Sequence, residues 1–258
     1  AVIRVRSGRV VADALLAARG LIELVPTVGA QRQTVAIGSS KAGTLLFTAV
    51  TVGEIEAVTE GRTLTTTGQG VFEALATGLP PNVPRVAGIP EGTADPGPIA
   101  VAVSSSTAPV ALGSRWQVIG RGGIVEQAAT AAVPPARRAV AVIGPPALPA
   151  NLRLLVANPT EQEAQVTITV ATENGLSSPA VLQGVTVSGG HSLELSLAGV
   201  ARAGTVAVLV TSSGAPIAAA IQAIAFQPAF GVYAVTAIPE TPRQPVAVDP
   251  DPRAGVAA

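Results

Sequence analysis

Residues 97–111 read GPIAVAVSSSTAPVA, and residues 204–218 read GTVAVLVTSSGAPIA. The two segments align without a gap at an offset of 107, with nine identities in fifteen positions. Chance gives about one, so the pair marks an internal repeat, the feature that must be found before any fold is assigned. At the same offset, residues 43–70 fall on 150–177 with six identities, among them Glu54/Glu161, Glu56/Glu163 and Gly68/Gly175. That match is weak alone and gains weight from the shared offset. A shorter echo, Ile3 to Ala12, resembles residues 208–218 with a turn one residue shorter. The chain therefore reads as two copies of one unit, preceded by the last hairpin of a third.

The second copy shows what the unit is. In residues 165–172, Val166, Ile168 and Val170 alternate with Thr167, Thr169 and Ala171, the period-two pattern of a half-buried strand. Residues 192–197 alternate again, with Leu193, Leu195 and Leu197 inward. Strands are also predicted over 152–157, 184–188, 206–211, 216–225 and 231–238. Asn158-Pro159 closes the first of these, Asn174-Gly175 makes a hairpin-type turn and Gly189-Gly190 another. Residues 206–211 and 216–225 are expected to form a hairpin over Ser212-Ser213-Gly214. About seven short strands with regular turn signals in roughly 100 residues predict an immunoglobulin-like β-sandwich.

The expected organisation is a partial repeat over 1–30, one sandwich over 31–136, a second over 137–240 and a Pro-rich disordered tail over 241–258. Residues 12–23 and 71–77 are helix-compatible, but no helix is required. Pro-rich loops are expected at 80–84 and 90–98. Gly120-Arg121-Gly122-Gly123 reads as a linker, since it lacks the Lys-Ser/Thr of a phosphate loop.

Composition supports an all-β reading. Of 258 residues, 48% are hydrophobic but only 2% aromatic, with no Met, so a core must come from Val, Ala, Leu and Ile. Net charge is zero, which gives no electrostatic footprint for nucleic acid; Arg137–Arg138 is too small a cluster to change that. No Cys is present, which removes disulfides and thiol chemistry. The longest mostly apolar stretch, 217–226, is too short to span a bilayer and contains Gln222. The sequence starts at Ala1 and has no Met, so a processed chain or a fragment is expected. A cleaved secretory signal is one route to such a start.

Catalytic chemistry finds few candidates. Acyl transfer of the Ser–His type needs a base, and the single histidine, His191, follows two glycines on what reads as an exposed turn. The carboxylate pairs Glu54/Glu56 and Glu161/Glu163 recur, but in polar turns where carboxylates are solvated. Four Asp are scattered, at 13, 95, 249 and 251, so no Asp-rich calcium loop exists. No catalytic residue, cofactor or metal site is therefore assigned. Trp116 and Tyr233 are the candidate partner or glycan contacts, since sugars stack on aromatic faces.

The run Leu152-Arg153-Leu154-Leu155-Val156-Ala157-Asn158-Pro159, the alternating strand 165–170, and segments 185–189, 193–197 and 208–218 resemble a family of actinobacterial secreted proteins of unknown function. Its tandem sandwich repeats run hydrophobic strand, Asn-Pro, alternating strand, Gly-rich turn. The resemblance covers about residues 150–225. It implies a secreted or cell-envelope location and transfers no catalytic residue. The expected function is a non-enzymatic structural or protein-interaction module of the envelope. Self-association through the orphan hairpin by strand exchange is a further expectation, and a polysaccharide-binding module the alternative.

Overall fold

The computed structural model describes residues 13–18, 21–26, 29–39, 43–51, 53–89, 97–120, 123–143, 152–198, 200, 206–225 and 231–239. Twenty strands follow in chain order: β1 (Asp13–Ala18), β2 (Leu21–Pro26), β3 (Gln33–Ser39), β4 (Thr44–Thr51), β5 (Thr59–Thr65), β6 (Gly68–Val71), β7 (Arg85–Ile89), β8 (Pro98–Ser105), β9 (Val110–Gly120) and β10 (Gly123–Ala131); then β11 (Arg138–Ile143), β12 (Leu152–Ala157), β13 (Ala164–Thr172), β14 (Gly175–Ser177), β15 (Val185–Val187), β16 (Ser192–Ser196), β17 (Val206–Gly214), β18 (Ala218–Ala225), β19 (Gly231–Thr236) and β20 (Ile238–Pro239). The all-β sandwich expectation holds. Among the described residues no α-helix occurs, and the helix-compatible 71–77 holds only a 3-10 turn, Glu73–Leu75. Of the other helix-compatible stretch, residues 13–18 form β1 and 21–23 begin β2.

Sheet A has the order β10-β9-β4-β7 and sheet B the order β3-β8-β5-β6. Between them lies one core containing Leu45, Phe47, Ile99, Val101, Leu112 and Trp116. Sheet C has the order β16-β12-β18-β19; sheet D has β14-β13-β17-β11-β20, with β15 also paired to β13. Their core contains Leu154, Val156, Val166, Ile168, Val208 and Ile221. The same strand order therefore occurs twice. Register agrees as well: Leu45 faces Trp116 on β4–β9, and Leu152 faces Ala223 on β12–β18, each residue shifted by the repeat offset.

Alternation fixed the inward faces as expected, with Val166, Ile168 and Val170 all fully buried. It did not fix strand neighbours. The predicted hairpin over 212–214 is corrected: β17 lies in sheet D and β18 in the facing sheet C. The chain arches between layers there. Gly214 takes a φ of 82°, and Ser212 Oγ donates to the Ala215 carbonyl at 2.7 Å. Both strands bury their inward residues in one core, which an arch achieves and a flat hairpin does not. In the second copy, two strands lie outside the expected set, β11 and β14. The presumed linker around 120–123 is where β9 and β10 pair, Gly123 against Gly120.

At the N-terminal end, β1 and β2 pair with each other, and β2 runs beside β10 of its own chain. Of the orphan hairpin expected at residues 1–24, residues 1–12 lie outside the described residues and 13–18 form β1; the tail at 241–258 also lies outside them.

Candidate functional site: the seam between the sandwiches

The two sandwiches meet face to face. The outward residues of sheet B, Val35, Ile37, Leu64, Ala100 and Ala102, join Val133 in one buried cluster. Across from them stand the outward residues of sheet C: Leu155, Ala157, Ala218 and Ala220. Layers thus run A, B, C, D. Alanines on one side make a flat surface that the branched side chains of the other can reach. The strands concerned are buried on both faces, which explains why β8 reads as the unbroken apolar run PIAVAV rather than as an alternation. That run was the available sequence signal for the seam.

Two turns hold one end of the seam. Asn158 is fully buried. Its Nδ2 donates to the carbonyls of Gln162 (2.7 Å) and Val187 (3.0 Å), and its Oδ1 accepts from Thr160 N (3.1 Å) and Oγ1 (2.8 Å). Every polar position of the amide is occupied, so burial carries no unsatisfied penalty. The Gly189-Gly190 turn packs on this one. A Cβ at 189 would collide with the Glu161 carbonyl oxygen, and Gly190 has a φ of 72°. Gly190 N donates to the carbonyls of Asn158 and Thr160 at 3.0 and 2.8 Å. The first copy builds the same turn with Asn82, at φ 60°, donating to the Thr51 carbonyl.

That geometry aims the next two residues at the first sandwich. Ser192 is buried, and its Oγ lies 2.8 Å from the Pro98 carbonyl and 3.1 Å from that of Leu64. His191 forms a parallel bridge with Thr65, and its Nδ1 lies 2.7 Å from the Gly189 carbonyl. The expected exposed turn residue is instead half-buried at the junction. From the other side, Arg62 Nη2 donates to the Pro159 carbonyl at 3.1 Å and Nη1 to Gln69 Oε1 at 3.1 Å.

Beside this junction a groove of about 390 Å³ opens between the sandwiches, with Arg62, Thr160, Glu161 and three prolines, Pro135, Pro159 and Pro216, in its walls. Arg62 is already committed to Pro159 and Gln69. Glu161 and Glu163 are exposed, as are Glu54 and Glu56, and Glu163 accepts from Gln165 Nε2 at 2.6 Å. The recurring carboxylates are thus turn residues facing water. Among the described residues no three His, Asp or Glu gather closely enough to hold a metal ion.

The expectation of an aromatic contact at Trp116 is corrected. Its side chain is 3% exposed and belongs to the first core, so neither ring face is on the surface. Leu45 on β4 is its cross-strand partner, and Gly43 lies so close that an added Cβ would meet Trp116 Nε1 at 3.0 Å. That Nε1 is buried without a hydrogen-bond partner. Tyr233 pairs through its backbone with Ala223 on β18; its side chain lies outside the described residues. Among the described residues no helix is long and apolar enough to cross a membrane.

No curated protein and no solved structure matches the chain. Residues 147–247, from just before β12 to beyond β20, match a family described as "Family of unknown function (DUF5719)", in agreement with the resemblance of the second copy to a family without assigned function.

Proposed function

We propose that the chain is a non-enzymatic structural and protein-interaction module of a bacterial cell envelope, acting on the secreted side of the membrane. The observation that carries this reading is the seam. Two sandwiches are joined through their broad faces, by an apolar cluster with Ser192 and Arg62 bonded across its margin. Buried polar groups at the junction, such as Asn158, go into holding turns and layers together. The resemblance of residues 150–225 to actinobacterial secreted repeats supports the compartment. Stacked sandwiches suit a spacer that presents faces and edges to partners.

The test is fractionation of the native host with an antibody to the chain, followed by binding of purified chain to isolated envelopes. Recovery outside the cytoplasm and saturable retention by envelopes are expected. Recovery in the cytoplasm alone, without retention, overturns the reading.

A further inference from the structure

We propose that the outer face of sheet D docks the outer face of sheet A of a second copy of this chain, continuing the A-B-C-D stack head to tail. The proposal rests on the reading of the chain as a structural module and names its partner.

The seam within the chain is heterologous: sheet B of one copy meets sheet C of the other. Sheet D is the second copy's version of sheet B, and sheet A is the first copy's version of sheet C. A heterologous contact leaves one face of each type free at the two ends, and so permits open-ended growth.

The D face has kept the character that its counterpart uses in the seam. On sheet B, Val35 pairs with Ala102 and bridges to Val133, and Ile37 lines up with Ala100 and Leu64. On sheet D, Val140 pairs with Leu209 and Ile238, and Val142 lines up with Ala207 and Ala171. All six seam positions are apolar in both copies. In the second copy they are uncovered: Val142 is 53% and Ile238 67% exposed, and the other four are half-buried. Leu176, paired with Ala171, extends the row and is 79% exposed. Strand β17 also carries the unbroken run VAVLV, the pattern of a strand covered on both sides. Contiguous exposed apolar surface of this kind marks an interaction site.

The face offered in return is sheet A. Leu155 with Ala220 and Ala157 with Ala218 correspond to Thr48 with Gly113 and Val50 with Ala111. These four residues are small or branched and uncharged, as in the surface that receives sheet B inside the chain, with Arg115, opposite Leu46, at the margin of the patch.

Sedimentation velocity on the full chain, with Val142→Glu and Thr48→Glu, tests this. Each substitution is at an exposed position and blocks one face only. Wild type is expected to grow beyond a dimer with concentration. Each variant alone should stay at the 25.5 kDa of one chain. An equimolar mixture should give a complex of twice that mass and nothing larger, because the open D face of one variant meets the open A face of the other and the two outer faces of the pair are blocked. A wild type that is monomeric at every concentration, or a mixture that stays monomeric, overturns the proposal. Dimerisation of Thr48→Glu alone also overturns it, since that requires sheet D to meet sheet D. Far-UV circular dichroism and Trp116 fluorescence check folding, with Ile238→Glu and Val86→Glu as substitutes for a variant that does not fold. Retention of a monomeric wild type on envelopes would remove stacking and leave the module reading; loss of both would remove the two together.

Discussion

Leu154 and Leu155 are neighbours on β12, both essentially buried, and they face opposite ways. Leu154 points into the core of the second sandwich and Leu155 into the seam. Truncating Leu155 to Ala removes a side chain whose burial is worth about 1.5–3 kcal/mol by transfer alone. The site cannot collapse easily, because Ile37, Trp116, Ile221 and Gln222 around it are themselves buried. A cavity contribution therefore adds, and the total cost is about 3 kcal/mol. For a unit of this size each kcal/mol shifts the midpoint by about 2–4 °C, so the expected loss is about 6–12 °C. The chain has a single Trp, in the first sandwich, whereas Leu155 is in the second. Thermal unfolding followed by Trp116 fluorescence thus reads the first sandwich after a change made in the second. Leu155→Ala should lower the Trp116-monitored midpoint through the seam. Leu154→Ala provides the comparison, acting on the second core. An unchanged Trp116 midpoint in Leu155→Ala would refute the claim that the seam couples the two sandwiches.

Four further outcomes follow from the turns and the junction beside them. Asn158→Ala leaves the Val187 carbonyl and the Thr160 N–H without their side-chain partner and the Gln162 carbonyl with Thr160 Oγ1 alone, and should cost about 2–4 kcal/mol in urea denaturation; a loss below about 0.5 kcal/mol, roughly the effect of a neutral surface change, would show that the amide is dispensable. Gly189→Ala drives a Cβ into the Glu161 carbonyl and should cost about 1–3 kcal/mol, by calorimetry. Gly175→Ala has no neighbour within 4 Å but sits at φ 109°, and should cost less, about 1 kcal/mol. Ser192→Ala removes the hydroxyl shared by the Pro98 and Leu64 carbonyls and should cost about 1 kcal/mol, again seen in the Trp116 signal of the partner sandwich.

The sequence by itself determined the duplication, the all-β class and the inward face of each alternating strand. Those properties are local: a period of two states which side of a strand is apolar, and shared residues at one offset state that a unit is repeated. It also marked Asn158-Pro159 and Gly189-Gly190 as turns, although not that the two turns lock together. Tertiary structure alone decided which strands are neighbours. Residues 206–225 carry a turn signal that suits a hairpin and an arch equally, and only the need to close a core from both sides selects the arch. It also decided the fate of Trp116 and His191, because a side chain's exposure depends on what packs against its strand from elsewhere in the chain. The seam lies between these cases. Its strands are apolar on both faces, which is visible in PIAVAV and VAVLV, but a sequence does not say which surface supplies the second cover. For β8 the cover is sheet C of the same chain; for β17 the outward side chains stay partly exposed, because the described residues include no further layer beyond sheet D.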